Sequence, residues 1–253
     1  MFADAELTDD GFLDARLRIL QPVAGYRAAT DPVFLAAACP AEGGESVLEL
    51  GCGAGVASLC LGRRVGGLTL HGLERQPEYA DLARRNALRN GIALTVTEGD
   101  LAQMPEPLRI AFDHVIANPP YFPPGGGTPA RDPGREAALR EETPLASWID
   151  AATRRLSPGG WLTLIQSAER VPELLGAIDS RLGSLSLLPL QSRPGRPAGR
   201  VILRARKGGK AAFRLLAPLI LHDGAAHDGD RDSFTPLARA ALRSGESIDK
   251  VFH

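Results

Sequence analysis

The sequence predicts an open, mostly parallel α/β sheet with helices on both faces. Three observations carry that reading. From Ser46 onward, short apolar runs alternate with longer segments of helical period. Each short run is rich in Val, Ile, Leu or aromatic residues, as strands buried on both faces should be. The first run ends in a glycine-rich turn, Glu49-Leu50-Gly51-Cys52-Gly53-Ala54-Gly55, that leads into an apolar helical segment. Parallel strands joined by right-handed crossover helices produce this alternation.

The runs predict strands at Ser46 to Leu50, Thr69 to Leu73, Leu94 to Thr97, Phe112 to Ala117, Trp161 to Gln166 and Leu185 to Leu190, with Val201 to Ala205 and Phe213 to Leu221 as later ones. Pro77 to Asn90 reads as a helix: Pro77 suits a first turn, Tyr79, Leu82, Ala83 and Leu88 share one face, and Asn90-Gly91 ends it. A second helix is expected over Asp31 to Ala38, with Thr30 or Asp31 as cap and Pro32 in the first turn. Residues 1–44 form an annex ahead of the sheet, and residues 45–253 form the main domain. Phe122 to Glu142, dense in Pro and Gly, reads as a loop at a strand end, where ligand loops of such sheets sit.

With 253 residues, 44% of them hydrophobic and 23% charged, the chain is large enough for one sizeable core. A formal net charge of −1 argues against a surface that coats nucleic acid or membrane as a whole. Three cysteines, Cys39, Cys52 and Cys60, read as reduced packing residues. The acidic start lacks the basic head and apolar run of a leader, so a cytoplasmic location is expected. The five histidines have no ligand spacing with the cysteines, and Asp228, Asp230 and Asp232 lack the Gly and Glu of a calcium loop, so no metal is expected.

A Gly-x-Gly-x-Gly turn lets backbone approach a ligand closely and directs helix N-terminal amides towards it. Dinucleotide oxidoreductases use a similar device, but there the third glycine falls one position later. Glu74 and Asp100 follow the next two strands. A carboxylate at the first of these positions can accept both ribose hydroxyl hydrogens, and one at the second an adenine amino hydrogen. Together with the turn they outline an adenosine. Candidate cofactor contacts are therefore Glu49, Gly51, Cys52, Gly53, Gly55, Glu74, Asp100 and Leu101.

Directly after Phe112 to Ala117 stands Asn118-Pro119-Pro120-Tyr121. This group resembles the Asn-Pro-Pro-Tyr motif of S-adenosylmethionine-dependent methyltransferases that act on planar nitrogen, in nucleic-acid adenines or glutamine amides. The resemblance implies a Rossmann-like class I methyltransferase fold with a seven-stranded, mostly parallel sheet. It implies S-adenosylmethionine as cofactor, with Asn118 close to it, and Asn118, Pro119, Pro120 and Tyr121 as the catalytic group. The chemistry suits these types. An exocyclic amino nitrogen is a poor nucleophile because its lone pair is delocalised. The Asn118 side-chain oxygen and the Pro119 carbonyl can each accept one amino hydrogen, aiming the nitrogen and stabilising its developing charge. Tyr121 and Phe122 would stack on an extruded base.

Over most of the chain the likeness narrows to the bacterial family that methylates N6 of an adenine in the anticodon loop of valine tRNA. Its pre-sheet helix opened by an Asp is matched by Gly25 to Ala36, which makes Asp31 either a shaper of the cofactor pocket or a plain helix cap. From Ser180 to His222 there is no acidic residue, while Arg181, Arg193, Arg196, Arg200, Arg204, Arg206, Lys207, Lys210 and Arg214 accumulate. A basic hairpin near residues 190–214 is the footprint expected for phosphate contact, with Arg193, Arg196, Arg200, Arg204, Arg206, Lys207 and Lys210 as candidate RNA contacts. A solvated arm is the other reading, since 26 of the 29 cations are arginine. The expected activity is methyl transfer from S-adenosylmethionine to adenine N6 in tRNA. Its rivals are glutamine-amide methylation of a translation factor and a cofactor- or RNA-binding module without turnover.

Overall fold

Branched and leucine-rich runs that alternate two apolar faces build the centre of the molecule. The computed structural model describes residues 1–121, 143–224 and 233–253. The loop expected over Phe122 to Glu142, the stacking role of Phe122 and the acidic run from Asp228 to Asp232 lie outside the described residues.

The main sheet holds β3 (Ser46–Leu50), β4 (Thr69–Glu74), β5 (Leu94–Glu98), β6 (Phe112–Ala117), β7 (Leu156–Ser167), β8 (Leu182–Gln191) and β9 (Ala198–Lys207). Two-residue strands β10 (Arg214–Leu215) and β11 (Leu219–Ile220) add to β8 at the edge. The order is β10-β8-β9-β7-β6-β3-β4-β5, parallel from β5 through β7, with β9 antiparallel to both β7 and β8. Seven longer strands thus match the expected sheet, and the run Phe213 to Leu221 resolves into two short pairings rather than one strand. β7 is longer than the apolar run Trp161 to Gln166 because its start, Leu156, pairs with Phe112 across a register shift.

Side-chain alternation gives the sheet two main cores, one on each face, and a small third cluster joins Cys52, Ala80, Ala83 and Val96. Val47, Ile116 and Ile202 point to one face, which is covered by α1 (Asp31–Ala38) and α2 (Val56–Arg64). Leu48, Val115 and Leu203 point to the other, covered by α4 (Leu145–Arg155) and α5 (Val171–Gly176). α3 (Pro77–Asn90) packs between β4 and β5 with Tyr79, Leu82 and Ala83 buried, whereas Leu88, expected on the same face, is exposed because it falls on the opposite side of the helix from Tyr79; Gly91 ends the helix in the left-handed region. α6 (Pro236–Ser244) closes the chain over α1.

A hairpin not foreseen in the sequence, β1 (Leu7–Phe12) and β2 (Leu17–Pro22), forms its own two-stranded sheet. Leu17 and Ile19 are fully buried in the core that also holds α1, and burying such a side chain stabilises by about 1.5–3 kcal/mol. The outer edge of β2 is satisfied by side chains instead of a third strand. Asn86 accepts from the Leu20 amide (2.8 Å) and donates to the Leu20 carbonyl (3.1 Å), while Asn90, one helical turn on, does the same for Arg18 (2.9 and 2.9 Å). No helix among the described residues is long and apolar enough to cross a membrane.

Candidate active site

The parallel strands β3, β4, β5 and β6 all end at one edge of the sheet, and β3 lies between β4 and β6. Chain direction reverses its march across the sheet there, so a crevice opens beyond the strand ends. Leu50 sits beside both Leu73 and Ala117, which places the glycine turn, Glu74 and Asn118 around that crevice. A cavity of about 140 Å³ fills it, bounded by Gly51, Gly53, Glu74, Asp100 and Leu101 on one side and Asn118 to Tyr121 on the other. Cys52 and Glu49 also line it, and Gly55, at φ +83, is the N-cap of α2 just behind.

The turn is glycine for steric reasons. Gly51 sits at φ +64, and a Cβ there would stand 2.7 Å from Cη2 of Trp148, whose ring floors the cavity from α4. Glu74 braces the turn: its carboxylate accepts from the Gly53 amide (2.8 Å) and the Gln76 amide (2.8 Å). Burial raises the Glu74 carboxyl above its ordinary value, and those amides oppose the shift. Glu49 is buried, accepting from the Ser58 amide and hydroxyl (2.9 and 2.5 Å), and burial raises it to about 7. Asp100 caps the short turn Leu101–Gln103 through the Ala102 amide (2.8 Å).

Asn118 leaves β6 half-buried at the cavity mouth, 3.4 Å from the Tyr26 hydroxyl through Nδ2. Its Oδ1 accepts from the Tyr121 hydroxyl (2.8 Å), which also lies 2.5 Å from Oδ2 of Asp31. Asp31 does not cap α1: Thr30 is the N-cap and makes no side-chain cap bond, and the Asp31 carboxylate faces Tyr121 and Arg200. Burial and the Asp31 charge push the Tyr121 phenol far above its usual value, so it keeps its proton. The two proline carbonyls are held from β7 and beyond. Buried Gln166 donates to Pro119 (3.4 Å) and Pro120 (3.2 Å), and Arg170 donates to Pro120 (2.9 Å). Gln166 takes one of the two lone pairs of the Pro119 carbonyl, which leaves the other for a further donor.

Tyr26, Trp148, Gln166 and Arg170 were not legible as site residues in the sequence. The one signal for Tyr26 is its place in the pre-sheet stretch. Gln166 could have been flagged as a polar residue in an otherwise buried strand.

The basic run is divided by the sheet. β9 runs antiparallel to β7, so Arg200 lies opposite Ser167 at the cavity end, and Arg206 lies opposite Trp161, about 20 Å away by strand rise. Arg193 and Arg196, in the β8–β9 turn, share the cavity end. Arg193 donates to the Asp223 and Gly224 carbonyls (2.6 and 3.1 Å), and Arg196 is exposed. Arg206 and Lys207 donate to the Gly159 and Leu156 carbonyls at the far end, where exposed Lys210 follows. Arg204 does not reach the surface as expected: it is buried, paired with Asp249 (2.5 Å) and stacked 4.0 Å from the Phe252 ring centroid. Among the described residues the basic run therefore forms no continuous surface.

The crevice fits an adenosine-containing methyl donor: the turn presents bare backbone, and two carboxylates stand at successive strand ends on its wall. Residues 30–185 match the methyltransferase small domain model. The chain belongs to that family. Its methyl donor is S-adenosylmethionine, and the sheet order above is the class I methyltransferase fold. A relative from Actinobacillus succinogenes, tRNA1(Val) (adenine(37)-N6)-methyltransferase, is 30% identical over 203 residues, covering 78% of this chain and 84% of its own. Release factor glutamine methyltransferase from Geobacter sulfurreducens is 30% identical over 164 residues, but covers 59% of this chain and 55% of its own. Among solved structures, a predicted O-methyltransferase from Agrobacterium tumefaciens superimposes with a TM-score of 0.70 at 28% identity, covering 86% of this chain and 98% of its own.

Proposed function

We propose that this methyltransferase is a cytoplasmic enzyme that methylates the exocyclic N6 of an adenine in tRNA, an anticodon-loop adenine above all. The observation that carries the reading is the position of Asn118: its carboxamide stands at the mouth of the cofactor crevice, one residue from a proline carbonyl with a lone pair to offer. Similarity over most of both chains to a tRNA adenine-N6 enzyme supports this substrate, and the shorter match to the glutamine enzyme makes protein the weaker choice.

Bound S-adenosylmethionine supplies an electrophilic methyl group on a good leaving group. Gly51, Gly53 and the α2 N-terminus take its backbone-facing side, Glu74 the ribose hydroxyls and Asp100 the adenine amino group. Asn118 Oδ1 and the Pro119 carbonyl each accept one hydrogen of the substrate amino group, which holds that nitrogen in line and stabilises the positive charge it gains. Oδ1 has two lone pairs, so it can serve both Tyr121 and substrate. The Tyr121 ring offers a stacking face for the extruded base. Arg193 and Arg196, from the turn between β8 and β9 at the cavity end, would meet phosphates flanking it.

The test is incubation of the protein with methyl-labelled cofactor and total tRNA. Label should appear as nuclease-sensitive N6-methyladenosine, and Asn118→Ala should lower kcat by about 10²–10³ while cofactor affinity is kept. Label that survives nuclease in a protein fraction would overturn the RNA reading.

A further inference from the structure

Three segments remote in sequence converge behind the cavity. Arg200 from β9 donates through Nε to Oδ2 of Asp31 at the start of α1 (3.0 Å). Its guanidinium carbon lies 4.2 Å from the centroid of the Tyr121 ring. The same Asp31 oxygen lies 2.5 Å from the Tyr121 hydroxyl, which also stands 2.8 Å from Asn118 Oδ1. We propose that Arg200 is a positioning residue for methyl transfer, acting with Asp31 on Tyr121 and, through its hydroxyl, on the carboxamide of Asn118. This rests on the function proposed above and assigns Arg200 a task other than gripping phosphate.

One proton and two acceptors meet at the Tyr121 hydroxyl. A phenol donates once, and both Asp31 Oδ2 and Asn118 Oδ1 are within reach of it. Unopposed, a carboxylate is the stronger acceptor and would draw the proton, leaving the phenol oxygen to face Oδ1 lone pair to lone pair. The Asn118 carboxamide would then rotate, and its acceptor would leave the line of the substrate amino group. Arg200 competes for the same carboxylate oxygen, so it lowers the pull of Asp31 and lets the phenol proton serve Oδ1. Stacking of the flat guanidinium on the ring fixes the hydroxyl where it can do so. Arg200 is also poorly suited to phosphate. Its side chain is 36% exposed, one face covers the ring, Nε is committed to Asp31 and Nη1 to the Gly199 carbonyl.

A phosphate contact and a positioning contact part company in kinetics. Arg200→Gln, which keeps a planar group and loses the charge, should lower kcat about 10- to 100-fold. KM for tRNA should stay within about threefold, and cofactor affinity by calorimetry should be unchanged. Arg200→Lys, which keeps charge without the flat stack, should fall between. Tyr121→Phe removes the hydroxyl through which Arg200 acts, so adding Arg200→Gln to it should cost little more than Tyr121→Phe alone. A raised KM with unchanged kcat and a flatter salt dependence of RNA binding would make Arg200 a phosphate contact and overturn the proposal. Full additivity with Tyr121→Phe would overturn it too, as would loss of cofactor affinity in Arg200→Gln. Absence of transfer to RNA by the unaltered enzyme would instead reject the underlying function.

Discussion

Gly51 shows how a single atom guards the crevice. Its left-handed backbone costs an L side chain roughly 1–2 kcal/mol before any clash, and the added methyl would meet Trp148. Gly51→Ala is expected to lower thermal stability and to abolish cofactor binding by calorimetry; cofactor binding at full strength would mean that Trp148 yields freely. Glu49 makes a second test. Burial raises its carboxyl from an ordinary 4.5 to about 7, so the fold prefers the protonated form. The stability that preference gives is complete below about pH 4.5 and is lost as pH rises through about 7. Glu49→Gln removes the titration. Relative to wild type it should therefore gain stability at pH 8 over pH 5, by up to roughly 3 kcal/mol. Melting at the two pH values measures this, and an equal difference at both would show that Glu49 is not the titrating group.

At the level of elements, α3 does for β2 what a neighbouring strand would do. Asn86 and Asn90 sit four residues apart on one helix face and match the spacing of alternate residues, Leu20 and Arg18, along the strand edge. Asn86 also donates to the Ala54 carbonyl (3.0 Å), which ties the hairpin to the glycine turn. Asn86→Ala leaves three backbone groups without their partner, the Leu20 amide and carbonyl, which are part-buried, and the buried Ala54 carbonyl, at a cost of roughly 2–4 kcal/mol. Tm should fall by about 5–15 °C, with the Leu20 amide losing protection from hydrogen exchange. A fall no larger than that of an exposed alanine substitution would mean the hairpin does not depend on this ladder. The periodicity of the sequence made α3 legible to the residue, from Pro77 to Asn90. The hairpin was not legible, because Leu7–Phe12 is mostly polar and its partner is held by two asparagines that carry no local signal of strand pairing.

Across the whole molecule, charge near neutrality hides a division between the two ends of the sheet. Only Arg193, Arg196 and Arg200 of the basic run stand at the cavity end, and Arg200 faces inward. Substituting Arg193 and Arg196 by Ala should flatten the salt dependence of tRNA binding by about one unit of slope for each phosphate no longer neutralised. Substituting Arg206 and Lys210 should leave that slope unchanged, and the reverse pattern would place the RNA on the opposite end of the molecule.

What the sequence by itself determined are the features with local causes. Burial on both faces demands apolar runs, so β3 and β6 appear with their full bounds; tight backbone demands glycine; and the four residues after β6 carry their chemistry in their types. The tertiary structure alone decided how charges and polar side chains are spent. Arg200 and Arg204 lie four residues apart in one basic run, yet one stacks on Tyr121 at the site and the other is buried against Asp249 and Phe252. Strand direction and the position of the C-terminal segment separate them, and neither is written near the arginines themselves. Pairing between groups distant in the chain depends on where folding brings them, and that distance is what a local reading cannot span.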